Sequence, residues 1–249
     1  MGFRICIPAR YASARLPGKA LLPLNGKPLI AHVVDRARRC GADEVIVATD
    51  SDAIATACRA LDVDVAMTDA GHASGTDSIA QVAADRGWAD DAVVVNVQGD
   101  EPLVPAAIVQ QVARLLLEGH APMATVCTPI TSADELRDPN AVKVVLARDG
   151  AALYFSRATV PCVRDGADDQ ALGVAMRHVG IYGYRVAALR ELAQKPPGAL
   201  ESLEKLEQLR ALWLGYRIEV AVAAEAPAPG VDTADDLRRV EALLRDGEQ

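Results

Sequence analysis

Aromatic side chains are scarce in this chain of 249 residues: two Phe, two Trp and five Tyr make up 4% of it. The 51% hydrophobic content leans instead on Ala, Val and Leu, which suits buried strands alternating with helices. Positive charge is also short, with 26 Lys and Arg against 34 Asp and Glu, a net charge of −8. General nucleic-acid or anionic-membrane binders need a basic face, so those classes are set aside. The five cysteines (Cys6, Cys40, Cys58, Cys127 and Cys162) are odd in number, widely spaced and without a C-x-x-C pair, which argues against a disulfide framework and against a zinc site. No apolar run approaches the ~18 residues of a membrane span, and the opening residues lack a signal-peptide pattern. No G-x-G-x-x-G follows the first strand, which disfavours a dinucleotide-dependent oxidoreductase. A reduced, cytoplasmic setting is expected.

What is present is alternation. Phe3–Ile7, Glu44–Ala48, Val63–Met67 and Ala92–Val97 read as strands. Pro28–Cys40, Asp52–Leu61 with Ser51 as cap, Asp77–Asp85 and Pro105–Leu117 read as helices. This order predicts an α/β domain around a mostly parallel sheet with right-handed crossovers. Ala92–Val97, dominated by valine, is expected to be a central strand covered on both faces. Beyond about residue 120, Met123–Thr128, Ala141–Leu146, Ala152–Phe155, His178–Tyr184 and Arg217–Ala223 read as strands. Ser202–Leu214 reads as one helix capped by Ser202, Thr233–Leu244 as the closing helix, and Pro161–Met176 as an irregular excursion.

The loop after the first strand carries Arg10, Arg15 and Lys19. In an α/β protein that loop sits at the carboxyl edge of the sheet, where ligands bind. Three cations there, in an acidic chain, point to a polyanion such as a triphosphate. Gln98-Gly99-Asp100 ends the strongest strand, so Asp100 is held at the same edge, placed for Mg²⁺ with its oxygen ligands; Glu101 is a rival ligand. Asp232 has two readings, an N-cap of the last helix or a second metal ligand partnered with Asp100.

Ordered segments along the chain then resemble the 3-deoxy-D-manno-octulosonate (KDO) cytidylyltransferases, or CMP-KDO synthetases. They are Ile7-Pro8-Ala9-Arg10-Tyr11-x-Ser13-x-Arg15-Leu16-Pro17-Gly18-Lys19, Ala48-Thr49-Asp50, Ser74-Gly75-Thr76-Asp77 and Asn96-Val97-Gln98-Gly99-Asp100-Glu101-Pro102. Tyr154-Phe155-Ser156-Arg157, His178-x-Gly180-Ile181-Tyr182-Gly183-Tyr184, Leu206-Glu207-Gln208-Leu209-Arg210 and Val231-Asp232-Thr233 complete the set. Ser78, Cys162 and the 163–176 segment depart from the family's usual pattern.

The resemblance implies a nucleotide-diphospho-sugar transferase fold in a single domain over residues 1–249, with about 152–184 a small lobe closing the sugar site and meeting a second subunit. It implies CTP and KDO as substrates, CMP-KDO and pyrophosphate as products, Mg²⁺ as cofactor, a homodimer, and a role in lipopolysaccharide biosynthesis. Arg10, Ser13, Arg15 and Lys19 would bind the triphosphate, with Lys19, Arg15 and Asp100 acting in catalysis. Ser74, Gly75 and Thr76, with backbone near Pro8 and Ala9, would read the nucleoside. Asp100 and Asp232 would hold the metal, and Gln98, Arg157, His178, Tyr182, Glu207 and Gln208 would line the sugar site. Residue types alone give blander roles: His178 a structural histidine, Arg157 a surface residue, and Glu207, spaced with Glu204 and Arg210, part of a solvated stripe. A cytidylyltransferase for another acidic sugar (8-amino-KDO or a sialic acid) and a non-catalytic nucleotide-binding regulator are the alternatives.

Overall fold

The structure, a computed structural model, describes residues 2–12 and 16–247. The first half alternates as its apolar pattern predicts: β1 (Phe3–Pro8), a small hairpin of β2 (Pro23–Leu24) and β3 (Lys27–Pro28), α1 (Leu29–Arg38), β4 (Glu44–Thr49), α2 (Asp52–Arg59), β5 (Asp64–Met67), α3 (Gly75–Asp85), β6 (Val93–Asn96) and α4 (Ala106–Glu118). Then follow β7 (Met123–Pro129), α5 (Ala133–Arg137), β8 (Lys143–Leu146), β9 (Ala152–Ser156), β10 (Met176–Arg185), α6 (Val186–Gln194), α7 (Ala199–Glu204), α8 (Gln208–Trp213), β11 (Ile218–Val222) and α9 (Ala234–Gly247). Local chemistry sets several ends. Pro28 stands immediately before α1, and Ser51 accepts the Ile54 N–H at the start of α2.

The main sheet runs β11-β7-β10-β6-β1-β4-β5, with β8 and β9 attached beside β10. β1 pairs in parallel with β4 and β6, β4 with β5, and β7 with β11; β10 is antiparallel to both β6 and β7. The expected central strand is β6, fully buried between β1 and β10. Alternate residues feed the two faces. Ile5, Ile7, Val93 and Val95 pack under α1 and α4, whereas Cys6, Ile46 and Val94 pack against α3, α6 and α8. The five cysteines are free; Cys6, Cys40, Cys58 and Cys127 are buried, and burial pushes the last three thiols up to about 11. Among the described residues, no helix is long and apolar enough to cross a membrane.

Two sequence expectations are corrected. The single helix over Ser202–Leu214 is instead α7 and α8, broken where Lys205 takes a left-handed conformation (φ 53°). Ser202 lies inside α7 and donates to the Gly198 carbonyl, while the Glu201 carboxylate accepts the Gly198 N–H. Helices α5 and α6 were also not anticipated. Helix α6 starts directly at the end of β10, with no Gly or Pro to punctuate the change from strand to helix. Within residues 152–184, β9 and β10 belong to the sheet, and residues 157–175 run outside it.

A buried ion pair pins the broken helix. Arg210 holds Glu201 through two bonds of 2.5 and 2.9 Å and also donates to the carbonyls of Leu192 and Lys195, tying α8 to α7 and to the end of α6. Glu201→Ala leaves a buried guanidinium without its counter-charge and should lower stability by about 3–5 kcal/mol, read as a urea midpoint shift. A shift close to zero would show that the pair does not hold this junction.

Candidate active site

Two adjoining clefts open at the carboxyl end of the central strands. Strand order turns at β1, with β4 on one side and β6 on the other, and the crevice at such a switch is the usual ligand site of an open α/β sheet. The first cleft, about 210 Å³, is lined by Pro8, Ala9 and Arg10 after β1, Lys19, Gly75 at the start of α3, and Gln98, Gly99 and Asp100 after β6. The loops approach closely enough to demand glycine. A Cβ on Gly99 would lie 2.8 Å from the Pro8 carbonyl oxygen, and one on Gly75 would lie 3.0 Å from Pro8 Cγ.

Lys19 stands at the centre of this cleft. Gly18 adopts φ 67°, its N–H bonds to the Tyr11 carbonyl, and Lys19 N bonds to the Leu16 carbonyl, which turns the side chain back over the sheet edge. Its ammonium lies 2.6 Å from Asp100 Oδ2 and 3.3 Å from Asp232 Oδ1. Residues 132 positions apart in sequence thus meet at one cation, helped by a 2.8 Å bond from Val231 N–H to the Asp100 carbonyl. The two readings of Asp232 can now be separated. Thr233 performs the capping, accepting the Asp236 N–H while the Asp236 carboxylate accepts the Thr233 N–H, so Asp232 directs its carboxylate to Lys19.

Two oxygen-donor carboxylates gathered around one positive charge fit a divalent cation such as Mg²⁺. Glu101, the rival ligand, is pushed up to about 8 by burial and by the neighbouring Asp100 charge. Arg10 lies 3.8 Å from Asp50, which also accepts the Tyr11 N–H. Ser13 and Arg15, both expected at the triphosphate, lie outside the described residues.

The second cleft, about 220 Å³, shares Gln98 with the first. His178, Tyr182, Glu207 and Gln208 line it with Gln98, so five of the six residues expected around a sugar converge. Thr76, expected on the nucleoside side, lines it as well. Glu207 does not face water as helical spacing suggested. The α7–α8 break turns it inward, where it accepts a 3.2 Å bond from Ser74 Oγ, and burial pushes its carboxyl up. Ser74 therefore has two duties, since it also caps α3 by accepting the Asp77 N–H.

Arg157 does not join this group. It donates through Nε to the Glu204 carbonyl and through Nη1 to the Pro139 carbonyl, pinning the start of the 157–175 excursion. Lys143, buried below it, bonds the Asp138 and Arg157 carbonyls, and its pKa is lowered by burial. Among the described residues, no Lys or Arg lines the second cleft. His178 does not supply the missing charge, because burial lowers its pKa to about 3. Its Nε2 lies 3.1 Å from Thr125 Oγ1, whose single proton faces the Val179 and Ile181 carbonyls at 3.0 and 2.8 Å. Thr125 accordingly accepts from His178 Nε2–H, which fixes the tautomer and leaves Nδ1 as the acceptor nitrogen.

Asn96 and Tyr184 stand in the motif runs but were given no site role, and Thr125, the partner of His178, was not singled out. The signal for Asn96 was available: it lies two residues before Gln98, on the same face of an extended chain.

A profile of the cytidylyltransferase family matches residues 5–218. The chain belongs to the cytidylyltransferase family. As such it is a nucleotidyltransferase. A solved CMP:2-keto-3-deoxy-manno-octonic acid synthetase complexed with CTP is similar to this cytidylyltransferase at 40% identity and a TM-score of 0.91, over 99% of this chain and 100% of that one. Two more distant structures share the fold. One is a cytidylyltransferase from Leptospira borgpetersenii serovar Hardjo-bovis (17% identity, TM-score 0.65, 99% of this chain and 87% of that one). The other is a 4-diphosphocytidyl-2C-methyl-D-erythritol synthase from Anaerococcus prevotii (11%, 0.63, 98% and 99%).

The neutral His178 has a consequence for stability. Its folded pKa of about 3 lies below the ordinary 6.5, so between these values the unfolded chain binds a proton that the fold refuses. That contribution is fully present above about pH 6.5 and is lost as pH falls toward 3. Urea midpoints at pH 7 and pH 5 should therefore fall more for the unmodified protein than for His178→Phe. Equal losses would contradict a neutral buried His178.

Proposed function

We propose that this cytidylyltransferase transfers CMP from CTP to the anomeric hydroxyl of KDO, giving CMP-KDO and pyrophosphate in the path to lipopolysaccharide. The observation that carries this reading is the Lys19–Asp100–Asp232 cluster beside the polar second cleft, joined at Gln98. The 40% identical relative, a CMP-KDO synthetase holding CTP, supports it over the whole chain.

In this reading the triphosphate lies along Arg10 and Lys19, with Ser13 and Arg15 on the same loop, and the backbone of Pro8 and Ala9 borders the nucleoside together with Ser74 and Gly75. KDO occupies the second cleft among Gln98, His178, Tyr182, Glu207 and Gln208. The carboxylate and the reacting hydroxyl sit on the same carbon of KDO. That carbon belongs at the Gln98 edge, which puts the carboxylate toward Arg10 and Lys19 and removes the need for a cation deeper in the cleft. The hydroxyl attacks the α-phosphorus, a new P–O bond forms, and the bond to pyrophosphate breaks on the opposite side. Positioning and charge neutralisation dominate such a reaction, and no covalent nucleophile is needed. Asp100 and Asp232 would hold Mg²⁺, which when bound neutralises phosphate charge. Arg157 reaches the sugar only by releasing the Glu204 and Pro139 carbonyls. A cytoplasmic homodimer, with about residues 152–184 closing the sugar site and meeting the second subunit, completes the proposal.

Asp100→Ala tests the reading. Pyrophosphate release from CTP and KDO should fall by roughly 100-fold or more, with the thermal midpoint little changed. Near-normal turnover would remove Asp100 from the chemistry.

A further inference from the structure

Lys143 lines neither cleft, yet it is 1% exposed. Burying an ammonium is costly unless a counter-charge and hydrogen bonds compensate it. Lys143 forms no ion pair among the described residues; its bonds run to the Asp138 and Arg157 carbonyls, at 2.8 and 2.9 Å. A methionine would fill the same space without the desolvation cost, so packing alone does not account for a charge here. The positions of the two carbonyls supply a reason. The chain leaves the sheet after Ser156, runs outside it over 157–175 and rejoins it at Met176. Lys143 stands at this neck. Its main chain pairs with Ser156 of β9 on one side and Arg177 of β10 on the other, and the Val142 carbonyl accepts the His178 N–H at 2.8 Å. Its ammonium then ties the Arg157 carbonyl, just past β9, to the turn at Asp138. From the neck the second cleft is a short step away. The Phe155 ring, two residues before Arg157, meets His178 edge-on with centroids 5.0 Å apart, and His178 lines the cleft. An ammonium suits this task because it donates in several directions at once and its charge strengthens each bond to a carbonyl.

We propose that Lys143 is a positioning residue for the acceptor: by closing the neck of the 157–175 excursion it holds the end of β9, and through the Phe155 ring it sets the His178 imidazole in the second cleft. None of these contacts reaches a residue of the first cleft. The acceptor, and not the nucleotide, is therefore the substrate that feels the loss of Lys143. The inference rests on the proposed reaction, in which KDO occupies the second cleft, and adds a residue from outside that cleft.

The test compares Lys143→Met with the unmodified enzyme, with pyrophosphate release measured against CTP and KDO in turn. The KM for KDO should rise about 10-fold while the KM for CTP stays unchanged. Introduced into His178→Phe, the same substitution should raise the KM for KDO no further, because the group that Lys143 positions is already gone. A general structural role does not produce that non-additivity. An unchanged KM for KDO, an equal rise for both substrates, or an undiminished rise in the His178→Phe background would overturn the proposal. Lys143→Gln keeps an N–H donor and carries the test if Lys143→Met fails to fold. Failure of both to fold would make Lys143 a requirement of the whole fold and would overturn the proposal as well. The unmodified enzyme run in parallel separates the two levels. Absence of release from CTP and KDO there would overturn the proposed reaction, whereas normal release with unaltered Lys143 variants would overturn only the positioning role.

Discussion

One ammonium organises the catalytic end of this protein. Lys19 draws in Asp100 from the end of the central strand and Asp232 from the approach to the last helix. Each partner is positioned by something rigid: Gly18 in a left-handed turn, the buried β6, and the bond from Val231 N–H to the Asp100 carbonyl. Two carboxylates this close would repel without a cation between them, and in the proposed reaction a polyphosphate brings further negative charge to the same place. The cluster therefore sets the charge balance of the whole cleft.

The second cleft follows a different physical logic. It is walled by neutral or hydrogen-bonding groups, with His178 held uncharged by burial and Glu207 raised by the same cause. In the proposed reaction its selectivity comes from hydrogen bonds rather than from a lysine or arginine in its wall. Gln98 joins the two environments, and this shared edge is where the transferred phosphorus and the acceptor oxygen meet in the proposed reaction. The division suits an acceptor that is acidic at its reacting carbon and a polyol elsewhere.

The alternating half of the fold was legible because β1, β4 and β6 are buried strands separated by helices with readable starts, such as Ser51 and Pro28. The cationic loop and Asp100 were legible for the same reason, since the end of a buried strand fixes where its loop lies. What was not legible depends on contacts distant in sequence. Local sequence allowed Asp232 to be a cap, and only the Asp236–Thr233 bonds show that the cap lies one residue later. Spacing put Glu207 on a solvated stripe, because it assumed one continuous helix where Lys205 breaks the chain. Arg157 followed a motif toward the sugar, yet the Glu204 and Pro139 carbonyls hold it aside. No local pattern could reveal that competition.

In the proposed reaction, nucleotide and acidic sugar meet at the Gln98 edge. The most direct measurement is pyrophosphate release from CTP with Mg²⁺, with KDO, 8-amino-KDO and N-acetylneuraminate supplied in separate reactions. Release is expected with KDO and little with the other two. Release with N-acetylneuraminate but none with KDO, or release with none of the three, would contradict the proposed reaction.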